Sequence, residues 1–117
     1  MDVRLSVRPG RDCMVVEVAG DLDMATSPQL REGLQRVLDA GTRNVVVDLA
    51  GVGFMDSSAL GAVVVMFKAA RERGGRLCLA AVQPPVRGLL AATSVDQAIG
   101  VYDTVLAAEA SMPPAVA

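Results

Sequence analysis

The stretch FMDSSALG (54–61) marks the point where an apolar, strand-like run gives way to an apolar, helix-like run. It places an aspartate and two adjacent serines where the chain must turn. The chain has no histidine and no Gly-x-Ser-x-Gly pattern, so a serine nucleophile would lack its usual base. The only lysine, Lys68, lies on the flank of the predicted helix, where a solvated charge is expected. The sequence therefore predicts a non-enzymatic protein without catalytic residues.

Strand-like and helix-like runs alternate on both sides of this stretch. Strands are predicted at 3–8, 13–20, 44–51, 76–82 and 98–102, and helices at 26–41, 57–73, 84–95 and 103–110. The turn PGRD (9–12) should join the first two strands as an antiparallel hairpin, and the later alternation predicts parallel strands with right-handed crossovers. We predict one α/β domain over 1–110, with an opening β-hairpin, a mixed, mostly parallel sheet of about five strands and about four helices. Residues 111–117 are expected to form a disordered tail.

Composition excludes several classes of function. The chain of 117 residues is 52% hydrophobic but only 3% aromatic, and its charges form no basic block, so nucleic acid is not an expected ligand. No apolar run approaches the roughly 18 residues that span a bilayer, and the N-terminus lacks the pattern of a signal peptide, so a cytoplasmic protein without membrane insertion is expected. Cys13 and Cys78 are predicted to be buried free thiols. Without histidine or a CxxC unit, neither a metal nor a cofactor is predicted.

Residues suited to capping stand before three of the predicted helices. Thr26 or Ser27 should cap the first helix, and Asp103 the last. Asp56 and Ser57 both suit the helix that opens within FMDSSALG, and capping is the interpretation we favour for Ser57.

Ser58 differs from Ser57 in its direction. Leu60, Val63, Val64 and Phe67 recur at helical spacing and should face the sheet. Ser58 falls almost opposite that face. Its neighbours over the next turns are small or apolar and suggest a contiguous partner surface, unless another element covers them: Ala62, Val65, Met66 and Ala69.

A phosphoryl group on Ser58 would suit the fold and still change the surface. Free backbone N–H groups and the positive end of the helix dipole would accommodate it. It would add roughly 1.5 to 2 negative charges. Burying such a charge against an apolar partner costs several kcal/mol, enough to abolish a micromolar complex. The position therefore has the properties of a phosphorylation switch that acts by repulsion.

The segment VVVDLAGVGFMDSSALGAVV closely resembles the signature of STAS domains, specifically that of the bacterial anti-sigma-factor antagonists. The resemblance extends through GDLDMATSPQLRE and VQPPVRGLLAATSVDQAIGVYDTVLAA and covers residues 4–109. It implies a STAS-like fold and an antagonist that binds an anti-sigma factor and thereby releases a sigma factor. Ala59 departs from the glycine usual in the motif.

The resemblance also implies partners and roles for residues. Ser58 would be phosphorylated by the anti-sigma factor, itself a GHKL-type serine kinase, and a PP2C-type phosphatase would restore it. Together with the helix face described above, the expected partner-binding residues are Asp21, Asp23, Asp56, Ser57, Ala62, Val65, Met66 and Ala69.

Other readings compete with this one. Asp48, after VVV, could be the phosphoaspartate of a receiver domain, but the acidic pair and the lysine that receivers need are missing, so it is interpreted as ending a strand and holding a loop. Other STAS domains are interaction modules of lipid transporters or stressosome-type scaffolds without a phosphorylation switch. The intact Asp-Ser-Ser motif and the single-domain length favour the antagonist, with the interaction module as the alternative. The sequence leaves open whether two copies form a homodimer.

Overall fold

A computed structural model describes residues 2–114, which fold around a five-stranded mixed sheet of order β1-β2-β3-β4-β5. The strands are β1 (Arg4–Gly10), β2 (Cys13–Ala19), β3 (Asn44–Gly51), β4 (Arg76–Ala80) and β5 (Val101–Tyr102). The helices are α1 (Ser27–Asp39), α2 (Ser57–Glu72), α3 (Pro84–Ala92) and α4 (Val105–Ala110), with a 3-10 turn at Val95–Gln97. Strand β1 is antiparallel to β2, and the other pairs are parallel. The predicted fold class is therefore confirmed.

The sheet has a large core on one face and a small one on the other. In β3, Val45, Val47 and Leu49 join the large core together with buried residues of α1, α2 and α3. Val46 points the opposite way, into a small cluster with Cys78 and residues of α4. This alternation follows from the period of a strand, and it explains why β3 is nearly continuously apolar: both of its faces are covered.

The opening hairpin is tighter than the sequence suggested. Gly10 pairs with Cys13, so the turn is Arg11–Asp12 and not PGRD. Pro9 is thereby part of β1, which is tolerated because β1 is an edge strand. Val7, in the middle of β1, is 48% exposed.

The C-terminal part departs most from the prediction. The side chain of Thr104, and not that of Asp103, caps α4 by accepting from Ala107 N at 3.0 Å. Asp103 instead accepts from Arg87 at 3.0 Å. Met112 was assigned to a disordered tail but is buried in the small cluster, where it extends the cover that α4 gives to the sheet. The rest of the predicted tail, 115–117, lies outside the described residues.

Both thiols are free, as expected, but only Cys78 is fully buried. Burial raises the pKa of Cys78 to about 11. Cys13 is half-buried, and its pKa is raised by burial first and by the carboxylate of Glu109 second. Among residues 2–114, none of the helices is long and apolar enough to cross a membrane.

Candidate functional site at the start of helix α2

Two loops meet where β2 and β3 end. Because these strands are parallel neighbours, their carboxyl ends lie at the same edge of the sheet. Leu22 N donates to Phe54 O at 2.9 Å, and Asp56 N donates to Leu22 O at 2.9 Å. These two hydrogen bonds fasten the loop that carries Asp21 and Asp23 beside the loop that leads to Asp56. The structure thus places side by side the two loops that carry the three acidic residues that the sequence singled out.

Gly20 starts the first loop in a conformation that favours glycine. Its φ is +115°, and a Cβ there would lie 2.8 Å from the backbone oxygen of Asp2. Its N–H donates to Gly51 O at 3.0 Å, which ties the ends of β2 and β3 together. The chain therefore turns sharply out of β2 into the loop that carries Asp21 and Asp23, which we call the acidic loop.

The buried side chain of Thr26 stabilises the conformation of the acidic loop. It is the one polar residue buried within residues 2–114. Its hydroxyl donates to Asp21 O at 2.8 Å and accepts from Asp23 N at 2.9 Å, while Asp23 Oδ1 accepts from Ala25 N at 2.9 Å. Thr26 does occupy the N-cap position of α1, but its side chain makes no capping bond. The expected hydroxyl cap from Thr26 or Ser27 is therefore wrong, because the Thr26 hydroxyl is committed to the loop that precedes the helix.

Asp56 alone caps α2. Its backbone is extended, and its Oδ1 accepts from Ala59 N at 3.1 Å. Ser57 lies in the first helical turn, exposed, so its predicted capping role is wrong: a residue already inside the helix cannot occupy the cap position. Ser58 follows it and is exposed as well. The hydroxyls of both serines are thus accessible at a helix start whose cap is supplied by a carboxylate.

Helix α2 is rotated relative to the orientation expected from its sequence. Its buried stripe runs through Ala59, Val63, Met66 and Ala70, whereas Val64 and Phe67, which were expected to face the sheet, are only half-buried. The reason is that α2 packs against the sheet beneath it and against α1 beside it. Ser58 therefore lies on the flank of α2 and not opposite its buried face.

The predicted outer patch is divided by this rotation. Val65 is 42% exposed, and Ala69 is half-buried. Met66 and Ala62 are 1% and 8% exposed, so their placement on an open partner surface is wrong. Met66 belongs to the large core, and Ala62 lies between α2 and α1. The role of the remaining residues in partner contact stays a prediction.

A groove about 320 Å³ in volume runs between the two helices beside Ser58. Gly61, Ala62 and Val65 line it from α2 together with Ser58, and Ser27, Pro28 and Arg31 line it from α1. Ser57 does not line it. The two serines, adjacent in sequence, therefore have different surroundings.

Sequence reasoning missed two exposed apolar side chains at the same edge. Met24, in the acidic loop, is 76% exposed, and Phe54, whose backbone bonds to Leu22, is 49% exposed. The sequence could have identified both, because each is an apolar residue in a predicted loop that is otherwise rich in aspartate and glycine. Met24 and Phe54 lie in the two loops joined at this edge, and Val65 lines the groove beside Ser58, so three exposed apolar side chains lie at this end of the molecule.

Over residues 2–114, no cluster of three or more cysteine, aspartate or glutamate side chains could hold a metal ion. Asp48 does not end its strand as predicted, since β3 continues to Gly51, but its Oδ1 accepts from Ala50 N at 3.0 Å and so holds the chain locally. What the edge offers is an exposed hydroxyl in an apolar and acidic surrounding.

The fold and this site place the chain in a known family. The model of the STAS domain family matches residues 4–108, and the chain belongs to that family. An anti-sigma-B factor antagonist of Staphylococcus epidermidis is 32% identical over 103 residues, covering 88% of this chain and 95% of that protein. An anti-sigma F factor antagonist of Paenibacillus polymyxa is 28% identical over 104 residues, covering 88% and 89%. These two curated relatives are both anti-sigma factor antagonists.

Solved structures show the same fold. An anti-sigma factor antagonist from Mycobacterium paratuberculosis superposes with a TM-score of 0.86 at 24% identity, covering 94% of this chain and 93% of that one. The anti-sigma factor antagonist SpoIIAA in its unphosphorylated form superposes with a TM-score of 0.75 at 21% identity, covering 90% and 92%.

Proposed function

We propose that this protein is an anti-sigma-factor antagonist whose binding to its partner is controlled by phosphorylation of Ser58. The partner is an anti-sigma factor with GHKL-type serine kinase activity, bound by the unphosphorylated form, and its capture releases a sigma factor. The observation that carries the proposal is the position of Ser58, exposed in the first turn of α2 on the groove that exposed Val65 also lines, with exposed Met24 and Phe54 in the two loops that precede α1 and α2. The names of the relatives support the class of partner.

The surface supplies a physical reason for the switch. Met24, Phe54 and Val65 would be desolvated in a complex, and this burial of apolar area favours binding. A phosphoryl group on Ser58 brings roughly 1.5 to 2 negative charges into the same contact. Removing those charges from water without a matched cation on the partner costs several kcal/mol, and about 1.4 kcal/mol is a tenfold change in affinity.

We further propose that the protein acts by binding and not by catalysis. It provides the acceptor hydroxyl and the docking surface, while the kinase supplies the base and the nucleotide. A PP2C-type phosphatase hydrolyses the phosphoserine and restores the binding form. Asp21, Asp23 and Asp56 shape the loops around the acceptor, because the bonds of the acidic loop and the helix cap converge there.

The proposal is tested by comparing Ser58→Ala and Ser58→Asp as baits in host lysate. Leu106→Asp, which places a charge on an exposed residue of α4 over the opposite face of the sheet, is the matched control. We expect mass spectrometry to find a GHKL-type ATPase with the Ala form and with Leu106→Asp, and not with Ser58→Asp. The recovered kinase, supplied with ATP, should then phosphorylate the parent and Ser57→Ala, but not Ser58→Ala. Recovery of one set of transporter or scaffold proteins with all forms would instead indicate a STAS interaction module without a switch.

A further inference from the structure

Arg31 lies on α1 and lines the groove that Ser58 lines from α2. It is exposed and forms no hydrogen bond or ion pair within residues 2–114. Other arginines are committed: Arg36 pairs with Glu32 at 2.7 Å and Arg73 with Asp39 at 2.8 Å. Arg31 is thus a guanidinium without a partner in the described chain, set beside a hydroxyl that can be modified.

We propose that Arg31 is the intramolecular counter-ion of phosphorylated Ser58, holding the phosphoryl group in the groove between α1 and α2. This inference rests on the proposed function, since it concerns the phosphorylated state of the same site. It adds Arg31 of α1 to the site, a residue that belongs neither to the cap of α2 nor to the exposed apolar side chains.

The need for a cation follows from the acidic surroundings of Ser58. Asp56, two residues before it, carries a carboxylate that already accepts from Ala59 N. Asp21 and Asp23 lie in the loop fastened beside Asp56. A dianion placed among carboxylates is disfavoured by repulsion unless a cation offsets it. Arg31 is the one cationic side chain among the described residues that line the groove, and a guanidinium can donate two parallel hydrogen bonds to a phosphate.

The modification itself is an ordinary phosphoryl transfer. Ser58 Oγ forms a bond to the terminal phosphorus of a nucleoside triphosphate, and the bond from that phosphorus to the bridging oxygen breaks. The nucleoside diphosphate leaves with the electron pair, and the serine proton passes to the base supplied by the kinase. The new dianion then extends from Ser58 into the groove, towards Arg31.

The pair would change the surface in two ways at once. The phosphate would occupy the part of the groove between Ser58 and Arg31, and Arg31 would no longer be available to a carboxylate of a partner. Neither change requires a helix to move, because both residues already line the groove. Ser57 does not line it, so the same arrangement distinguishes the two adjacent serines.

The test uses protein with phosphoserine installed at position 58 during synthesis, so that no kinase is needed. The second ionisation of the phosphate, with an ordinary pKa near 6, is followed by ³¹P NMR in the parent, Arg31→Gln and Arg36→Gln. We expect Arg31→Gln to raise the phosphate pKa by about half a unit, because a stabilising cation is lost, and Arg36→Gln to leave it unchanged. An equal pKa in the parent and Arg31→Gln would overturn the inference.

Two controls make the result specific. Phosphoserine at position 57 should have the same pKa in the parent and in Arg31→Gln. An equal change in phosphate pKa at positions 57 and 58 would overturn the inference, because Arg31 would then not act specifically on Ser58. Unphosphorylated Arg31→Gln should unfold at the same temperature as the parent, because Arg31 is exposed and unpaired within residues 2–114. This test is independent of the proposed function. A protein that recruits no kinase would still show the difference in phosphate pKa between the parent and Arg31→Gln, because the phosphoserine is installed during synthesis.

Discussion

Val65 and Met66 are consecutive residues of α2, yet Val65 is 42% exposed and Met66 is 1% exposed. The boundary between open surface and core passes between them because α1 packs along one flank of α2. Val65 remains beside Ser58 on the groove, while Met66 is part of the large core. The proposed binding role of Val65 can therefore be tested separately from the contribution of Met66 to stability.

Val65→Asp should weaken partner binding by at least about tenfold, because a charge enters an apolar contact. The free energy of unfolding should change by no more than about 0.5 kcal/mol, as for most surface substitutions. Met66→Ala is the matched core variant and should lower the free energy of unfolding by about 2–5 kcal/mol. Urea denaturation measures the free energy of unfolding of each variant, and titration with the captured partner measures the affinity. If Val65→Asp unfolds the protein, the exposed position of Val65 is contradicted.

Met24→Ser and Phe54→Ala should each reduce affinity for the partner by roughly five- to tenfold without loss of stability, as expected for apolar side chains buried at the centre of an interface. Leu106→Ser is the matched control, since Leu106 is 78% exposed, as Met24 is, but lies on α4 over the opposite face of the sheet. Isothermal titration with the partner measures the effect. Equal losses in all three variants would argue against an interface at the Ser58 edge.

Asp56→Ala should lower the free energy of unfolding by about 0.5–2 kcal/mol, because the carboxylate that accepts from Ala59 N is removed. Asp56→Asn keeps an acceptor in the same place and should retain most of the stability. Ser57→Ala should have no such effect, since Ser57 does not cap the helix. Thermal unfolding of the three variants decides between Asp56 and Ser57 as the cap.

Thr26→Val should lower the free energy of unfolding by about 1–3 kcal/mol although the two side chains have the same shape. The valine cannot donate to Asp21 O or accept from Asp23 N, and both groups lose a buried partner. Hydrogen exchange should show faster exchange at Asp23 than in the parent. Unchanged protection at Asp23 would mean that the acidic loop is held without the hydroxyl.

Stability should fall at alkaline pH because of Cys78. Burial raises its pKa from 9.0 to about 11, so the unfolded chain loses the thiol proton at a pH where the native protein still holds it. The free energy of unfolding therefore decreases as pH rises from about 9 to about 11. Urea denaturation in a Cys13→Ser background should show this decrease, and adding Cys78→Ala should remove the part of the slope that the thiol causes. An identical slope with and without Cys78 would contradict the assignment.

Local sequence determined the parts of this fold that carry strong, self-contained signals. The apolar run NVVVDLAG predicted β3 with the bounds observed, 44–51, and the Asp-Ser-Ser turn predicted the start of α2 at Ser57. In contrast, the last predicted strand, 98–102, shrinks to Val101–Tyr102. Its pattern was weak, and only pairing with Leu79 and Ala80 of β4 decided where it forms.

The candidate site was determined in part by the sequence and in part by tertiary packing. The motif located Ser58, and the acidic loop located Asp21 and Asp23, because both are read directly along the chain. Which flank of α2 stays open depended on where α1 packs, and a helical period cannot reveal a neighbouring helix. The burial of Met66 and the placement of Arg31 beside Ser58 arise from contacts between segments distant in sequence, and only the folded chain brings those segments together.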